Sequence, residues 1–167
     1  MSHENFKFHI EHILNAPRAR VWKAWTNQEE LKAWFGPKGC PVFASKLDFR
    51  EDGVYHYGMR TPDGGEMWGV WIFKEIKAPE KLVTIVSFCD AEGEKIIRHP
   101  WNENWPMRTH SVLELTSLGD QTKLSITWSA HHPNETESQA FFEGKDSMTQ
   151  GWGGTLEQLV AYLETHK

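Results

Sequence analysis

The stretch "NAPRARVWKAWTNQEELKAWFGPKG" (Asn15–Gly39) carries three tryptophans and ends in a Phe-Gly-Pro turn. Asn15 can cap a helix, Pro17 suits a first helical turn, and Val21, Trp22 and Trp25 follow at helical spacing. A helix is therefore expected from about Pro17 to Thr26. Thr26 or Asn27 can cap a second short helix bearing Leu31, Trp34 and Phe35. Gly36-Pro37 must end it, because proline lacks the N–H that continuation needs.

On the N-terminal side of this pair, "FKFHIEHIL" (Phe6–Leu14) alternates Phe6, Phe8 and Ile10 with Lys7, His9 and Glu11, the period of a half-buried strand. On the other side, runs of β-branched and aromatic residues are separated by Glu51-Asp52-Gly53, Pro62-Asp63-Gly64-Gly65, Ala78-Pro79-Glu80 and Gly119-Asp120. These turn signals predict strands near 43–50, 53–60, 66–77, 81–89, 108–117 and 121–129, joined as an antiparallel meander. The segment Ala91–Met107, "AEGEKIIRHPWNENWPM", is too long and proline-bearing for a tight hairpin and is expected to form a lid-like excursion.

After Pro133 the period becomes helical, with Phe141, Lys145, Met148, Trp152, Thr155, Leu156, Leu159 and Leu163 on one stripe. One helix is expected from about Glu137 to Glu164. Gly144, Gly151, Gly153 and Gly154 interrupt it, each costing up to ~1 kcal/mol relative to alanine. That cost predicts a close backbone approach or a bend beside Trp152. The order is α+β: a sheet of about seven antiparallel strands must curl around the stripe of the long C-terminal helix, and the two short helices must fill the open end.

The 167 residues suit one domain over 1–167, and 39% hydrophobic with 25% charged residues is ordinary globular composition. No apolar run approaches the ~18 residues of a spanning helix. "MSHENFKFHIEH" lacks the pattern of a secretory leader, which points to the cytoplasm. Cys40 and Cys89 lie outside any CxxC spacing, so neither a disulfide framework nor a zinc ribbon is expected. A net charge of −5 with scattered lysines and arginines argues against nucleic acid as a partner.

Nine histidines raise the question of a metal. His131 and His132 are adjacent, however, and no HxH, HExxH or carboxylate spacing accompanies them, so no metal site is expected. His12, His56 and His110 fall within strands, where one could face the interior and serve as an acid or base. There is no GxSxG elbow, phosphate loop or dinucleotide fingerprint, and no cofactor is expected. Asn134-Glu135-Thr136 reads as a helix cap.

The nine tryptophans are the strongest signal. Tyr55, Tyr57 and Met59 share one strand face, as do Met67, Trp71 and Phe73, and Leu124, Ile126 and Trp128. One face of each strand must meet the stripe that holds Met148 and Trp152. The result is either a solid aromatic core or a cavity, and periodicity does not say which strand faces point inward. Trp22 and Trp25 are expected to anchor the first helix to the sheet, and Trp34, Phe35, Gly36 and Pro37 to cover the mouth.

"APRARVWKAWTNQEELKAWFGPKG" (Ala16–Gly39), "MRTPDGGEMWG" (Met59–Gly69), "APEKLV" (Ala78–Val83) and "SMTQGWGGTLEQLVAYL" (Ser147–Leu163) together resemble the activator of heat-shock protein 90 ATPase homologue family. This family lies within the START-like (SRPBCC) superfamily. The resemblance implies a helix-grip fold, in which a curved sheet holds a long C-terminal helix around a mostly apolar cavity. It implies no common substrate, because the superfamily includes lipid carriers, hormone receptors and polyketide cyclases. With it, the cavity becomes the favoured reading of the aromatic set. The ligand-binding residues expected are Trp34, Phe35, Tyr55, Tyr57, Met59, Trp71, Trp128, Met148 and Trp152, around a small apolar or aromatic molecule. The alternatives are a co-chaperone-like activator of the heat-shock protein 90 ATPase and a cyclase-like or hydrolytic enzyme using the same cavity. In the eukaryotic activator this domain is the C-terminal half of a longer protein. The present chain is expected to lack the half on which chaperone stimulation relies.

Overall fold

The computed structural model describes residues 5–167; residues 1–4, where the leader reading begins, lie outside the described residues. The elements follow in the order β1 (Phe8–Leu14), α1 (Arg18–Thr26), α2 (Gln28–Trp34), β2 (Val42–Leu47), β3 (Val54–Arg60), β4 (Glu66–Lys77), β5 (Lys81–Cys89), β6 (Ile96–Ile97), β7 (Thr109–Ser117), β8 (Thr122–Ala130), α3 (Glu135–Glu143) and α4 (Lys145–Thr165). All pairings are antiparallel, in the order β1-β8-β7-β5-β4-β3-β2, with β6 beside β5. Register shifts between Val42 and Ala44 and between Phe73 and Glu75 help bend the sheet into the helix-grip form.

Local chemistry sets the helix ends. Pro17 takes the extended position before α1, and Asn15 does not cap it. The Asn27 side chain caps α2 by accepting the Glu30 N–H at 3.1 Å. Asn134 and Glu137 form a reciprocal capping box at the start of α3. At the other end of the link between β1 and α1, Thr122 is fully buried and its hydroxyl donates to the Ala16 carbonyl at 2.7 Å.

The C-terminal half of α4 makes solid core: Leu156, Leu159 and Leu163 pack among Leu14, Val21, Leu31 and Leu124, all buried. Two features differ from the sequence expectation. The excursion after β5 contributes the two-residue strand β6, and the single expected helix is two, broken at Gly144. Space explains the glycine at that break, because the Trp105 ring of the excursion fills the junction, with a ring carbon 2.6 Å from where a Cβ at 144 would sit. Trp105 also packs against Phe141 of α3 at 5.4 Å.

Gly144→Ala should therefore overpack the junction and displace Trp105, costing about 1–3 kcal/mol of stability by calorimetry. An unchanged melting temperature would show that the indole is not held there.

Candidate ligand cavity

Between the sheet and the N-terminal half of α4 lies a cavity of about 500 Å³. Its roof is one helical stripe, Gly144, Ser147, Met148, Gly151, Trp152 and Thr155. Four of these are small, so the helix backbone stands off from the sheet where leucines would otherwise fill the space. The floor comes from inward faces of β3, β4, β5, β7 and β8, including Tyr57, Trp71, Val86 and Trp128.

The aromatic side chains interlock. Trp25 stacks on both Trp71 and Trp152, each at 6.2 Å between ring centres. Trp152 meets Trp128 edge-on at 5.5 Å, and Phe35 meets Trp71 edge-on at 5.0 Å. Such pairs each add about 0.5–1.5 kcal/mol beyond burial and resist collapse of the walls. Gly69 leaves room for the Tyr57 ring, since a Cβ there would lie 2.5 Å from the phenolic oxygen.

Among the described residues, no aspartate, glutamate, lysine or arginine lines the cavity. Its polar side chains include the hydroxyls of Thr84, Thr109 and Ser111 on the floor, those of Tyr57, Ser87, Ser147 and Thr155 elsewhere in the lining, and His99 and Asn102 at the rim, with Trp128 Nε1 donating to Ser111 Oγ at 2.9 Å. Burial raises the Tyr57 phenol well above its ordinary value, so it stays protonated. Burial lowers the His99 imidazolium, and His99 Nδ1 accepts the Trp101 N–H at 3.0 Å, which places the proton of the neutral ring on Nε2. Neither cysteine lines the cavity; burial raises the Cys40 thiol and, aided by Asp90, takes the Cys89 thiol to about 11.

The excursion forms a strap over the rim, where His99, Trp101, Asn102, Trp105 and Pro106 line the cavity. The Arg98 guanidinium reaches the Glu137 carboxylate at 2.6 Å and the Trp105 carbonyl at 3.2 Å. Ser87 Oγ donates to the Met107 carbonyl at 2.8 Å. Trp101, 70% exposed, faces outward at the rim.

A sequence model described as activator of Hsp90 ATPase homolog 1-like protein matches residues 15–164. The chain belongs to that family. Its fold recurs in the solution structure of an Arthrobacter aurescens protein, 25% identical, covering 99% of this chain and 90% of that one with a TM-score of 0.78. It also recurs in a Mycobacterium smegmatis protein at 19% identity, covering 96% and 92% with a TM-score of 0.78. A Silicibacter pomeroyi protein named for the same family is 15% identical, covering 97% and 100% with a TM-score of 0.69. No curated protein matches the sequence. No helix among the described residues is long and apolar enough to cross a membrane.

Of the residues expected around a ligand in this family member, Phe35, Tyr57, Met59, Trp71, Trp128, Met148 and Trp152 do line the cavity. Trp34 does not: it is buried beneath Trp25, with Nε1 donating to the Ala24 carbonyl at 2.9 Å. Tyr55 also lies outside, packed behind Trp71 at 4.9 Å. Trp25 is more than the expected anchor, since it forms cavity wall. His12, His56 and His110 do not line the cavity, whereas His99 does. The glycines of α4 mark no tight contact either: a Cβ at Gly151 or Gly153 meets open space, and one at Gly154 has ordinary contact with Lys38. The inward Thr84, between Leu82 and Val86 on the same face of β5, was the missed signal of a polar floor.

Glu137 links strap to helix. Burial alone would raise its carboxyl, but the Asn134 N–H and the Arg98 guanidinium outweigh that and hold it below the usual carboxylate range. A depressed folded value means the stabilisation is present above the unfolded value of ~4.3 and lost as pH falls through the folded one. Amide protection over residues 98–107 should therefore drop in acid, after correction for intrinsic exchange. Glu137→Gln should lower that protection up to about tenfold at neutral pH and flatten its acid dependence. Equal protection in both proteins would exclude the clasp.

Proposed function

We propose that the protein binds a small, uncharged, largely apolar or aromatic molecule in the cavity between sheet and α4, and does so in the cytoplasm. The observation that carries this reading is an aromatic-walled space of about 500 Å³ with no charged side chain in its lining. Small-ligand sites run to roughly 300–1,000 Å³. A charged ligand would lose its water there without gaining a counter-ion.

The enzymatic alternative needs an acid or base at the reacting atoms. Among the lining groups only His99 has an ordinary value near neutrality, and it sits at the rim, already bonded to the strap backbone. The chaperone alternative rests on the family name. Strong stimulation of heat-shock protein 90 ATP hydrolysis by the purified protein would displace the ligand reading.

The test is titration with N-phenyl-1-naphthylamine, a neutral apolar dye, for which binding in roughly the micromolar range is expected. Gly151→Leu should fill the cavity and lower dye affinity at least about tenfold, while Gly153→Leu, on the same helix but not in the lining, should leave it unchanged. Each replaces a helix-interior glycine and should stabilise the fold by about 0.5–1 kcal/mol. Trp152→Ala should stay folded with altered dye binding. A loss of about 3–5 kcal/mol with no dye bound by the wild type would mean that Trp152 belongs to a solid core.

A further inference from the structure

We propose that the hydroxyls of Thr84, Thr109 and Ser111 form a hydrogen-bonding site for a carbonyl oxygen on the edge of an uncharged aromatic ligand. This deepens the ligand reading above and rests on it. Thr84 on β5 pairs directly with Ser111 on β7, and Thr109 lies two residues from Ser111 on the same face. Side chains so related stand about 4.5–8 Å apart, within reach of one small group between them.

Thr84 is 5% exposed and Thr109 3%, and neither hydroxyl has a hydrogen-bond partner among the described residues. Among the described residues, the sealed side-chain atoms without a hydrogen bond belong to Trp25, Tyr55 and His56, besides Arg20 Nη1, which the Glu30 carboxylate pairs at 2.7 Å. The two threonine oxygens are not among these, so the small surface they keep opens on the cavity they line. Valine has the same shape as threonine and would pack this floor without an unsatisfied group, so two such threonines cost stability that a bound partner recovers.

Ser111 sets the polarity. Its oxygen accepts the Trp128 indole N–H, which leaves its own proton free to point outward as a donor. Together with two threonine hydroxyls free to rotate, the floor offers donors converging on one place. A carbonyl oxygen, with two lone pairs, accepts two of them. A carboxylate would find donors but no cation in the lining, and an ammonium would find no carboxylate. Trp71 and Trp128, in the strands that flank β5 and β7, then give the ring system its apolar faces.

The wild-type protein is titrated with fluorene and 9-fluorenone, which share one three-ring skeleton and differ by CH₂ against C=O, following tryptophan quenching. Transfer out of water alone favours fluorene, so the order must reverse if the carbonyl is bonded: fluorenone should bind about tenfold tighter. Thr84→Val and Thr109→Val should each remove several-fold of that preference and not lower the melting temperature. Fluorene binding at least as tightly as fluorenone to the wild type, the order expected if the hydroxyls only hold water, overturns the carbonyl site. So does a preference that survives both substitutions. If the naphthylamine dye binds in either case, the cavity reading stands; if neither probe nor dye binds, both fall. Should one valine variant fail to fold, the wild-type ratio and the other variant still decide.

Discussion

Everything in this molecule follows from a change of side-chain size along one stripe of α4. From Leu156 onward the inward positions are leucines, packed against Val21, Leu31 and Leu124 without exposure. Before it, the same stripe reads Gly144, Ser147, Met148, Gly151, Trp152 and Thr155, and the helix no longer fills the curl of the sheet. One helix thereby closes the grip at one end and opens it at the other. Gly151 lowers helix propensity where nothing presses on the backbone, so the missing volume itself is what it supplies, whereas Gly144 makes room for Trp105.

A void of this size survives only if its walls cannot relax inward. Here the walls are rings held edge to face and stacked, and moving Trp25, Phe35, Trp71 or Trp152 breaks contacts with at least two others. The frame is fixed from outside the cavity. Gln158 Nε2 donates to the carbonyls of Trp34 and Gly36, at 3.1 and 2.6 Å, and so ties the end of α2 to α4. Gly36 has φ +112°, and a Cβ there would lie 2.9 Å from the Cys40 carbonyl, so only glycine allows the turn that presents Phe35 and Pro37 to the cavity.

The legible part of the fold is the part written in period and punctuation. Alternation placed β1, turn residues placed β3 to β5, β7 and β8, and Asn27 and Asn134 marked helix starts with their own side chains. The need for glycine at 144 was not legible, because the ring that fills its place is Trp105, distant in sequence and brought there by the strap. The same holds within the site. Strand alternation grouped Tyr57 with Tyr55, yet only Tyr57 reaches the cavity, since where a shared face leaves the void for solid core depends on the position of α4. Trp34 and Trp25 exchanged roles for a similar reason. Both are buried aromatics at helical spacing, and only packing reveals that one braces the other from behind.

Polar interactions are distributed unevenly between the two ends of the grip, and this decides which end yields first. At the closed end, Glu30 takes an ion pair from Arg20 at 2.7 Å and the Tyr162 hydroxyl at 2.9 Å, while Arg20 Nε donates to the His166 carbonyl at 2.7 Å. That cluster ties α1, α2 and α4 together and is largely shielded, so each member left alone would be a buried charge or donor without a partner. At the open end the strap relies on a half-exposed Arg98, on Trp105 in its glycine-sized seat and on the Ser87 hydrogen bond. Exposed pairs are weak and loops with few buried contacts open locally well below the global unfolding energy. The strap is therefore the part of the cavity's boundary expected to open first. Trp101, His99 and Asn102 lie on that strap at the cavity's rim.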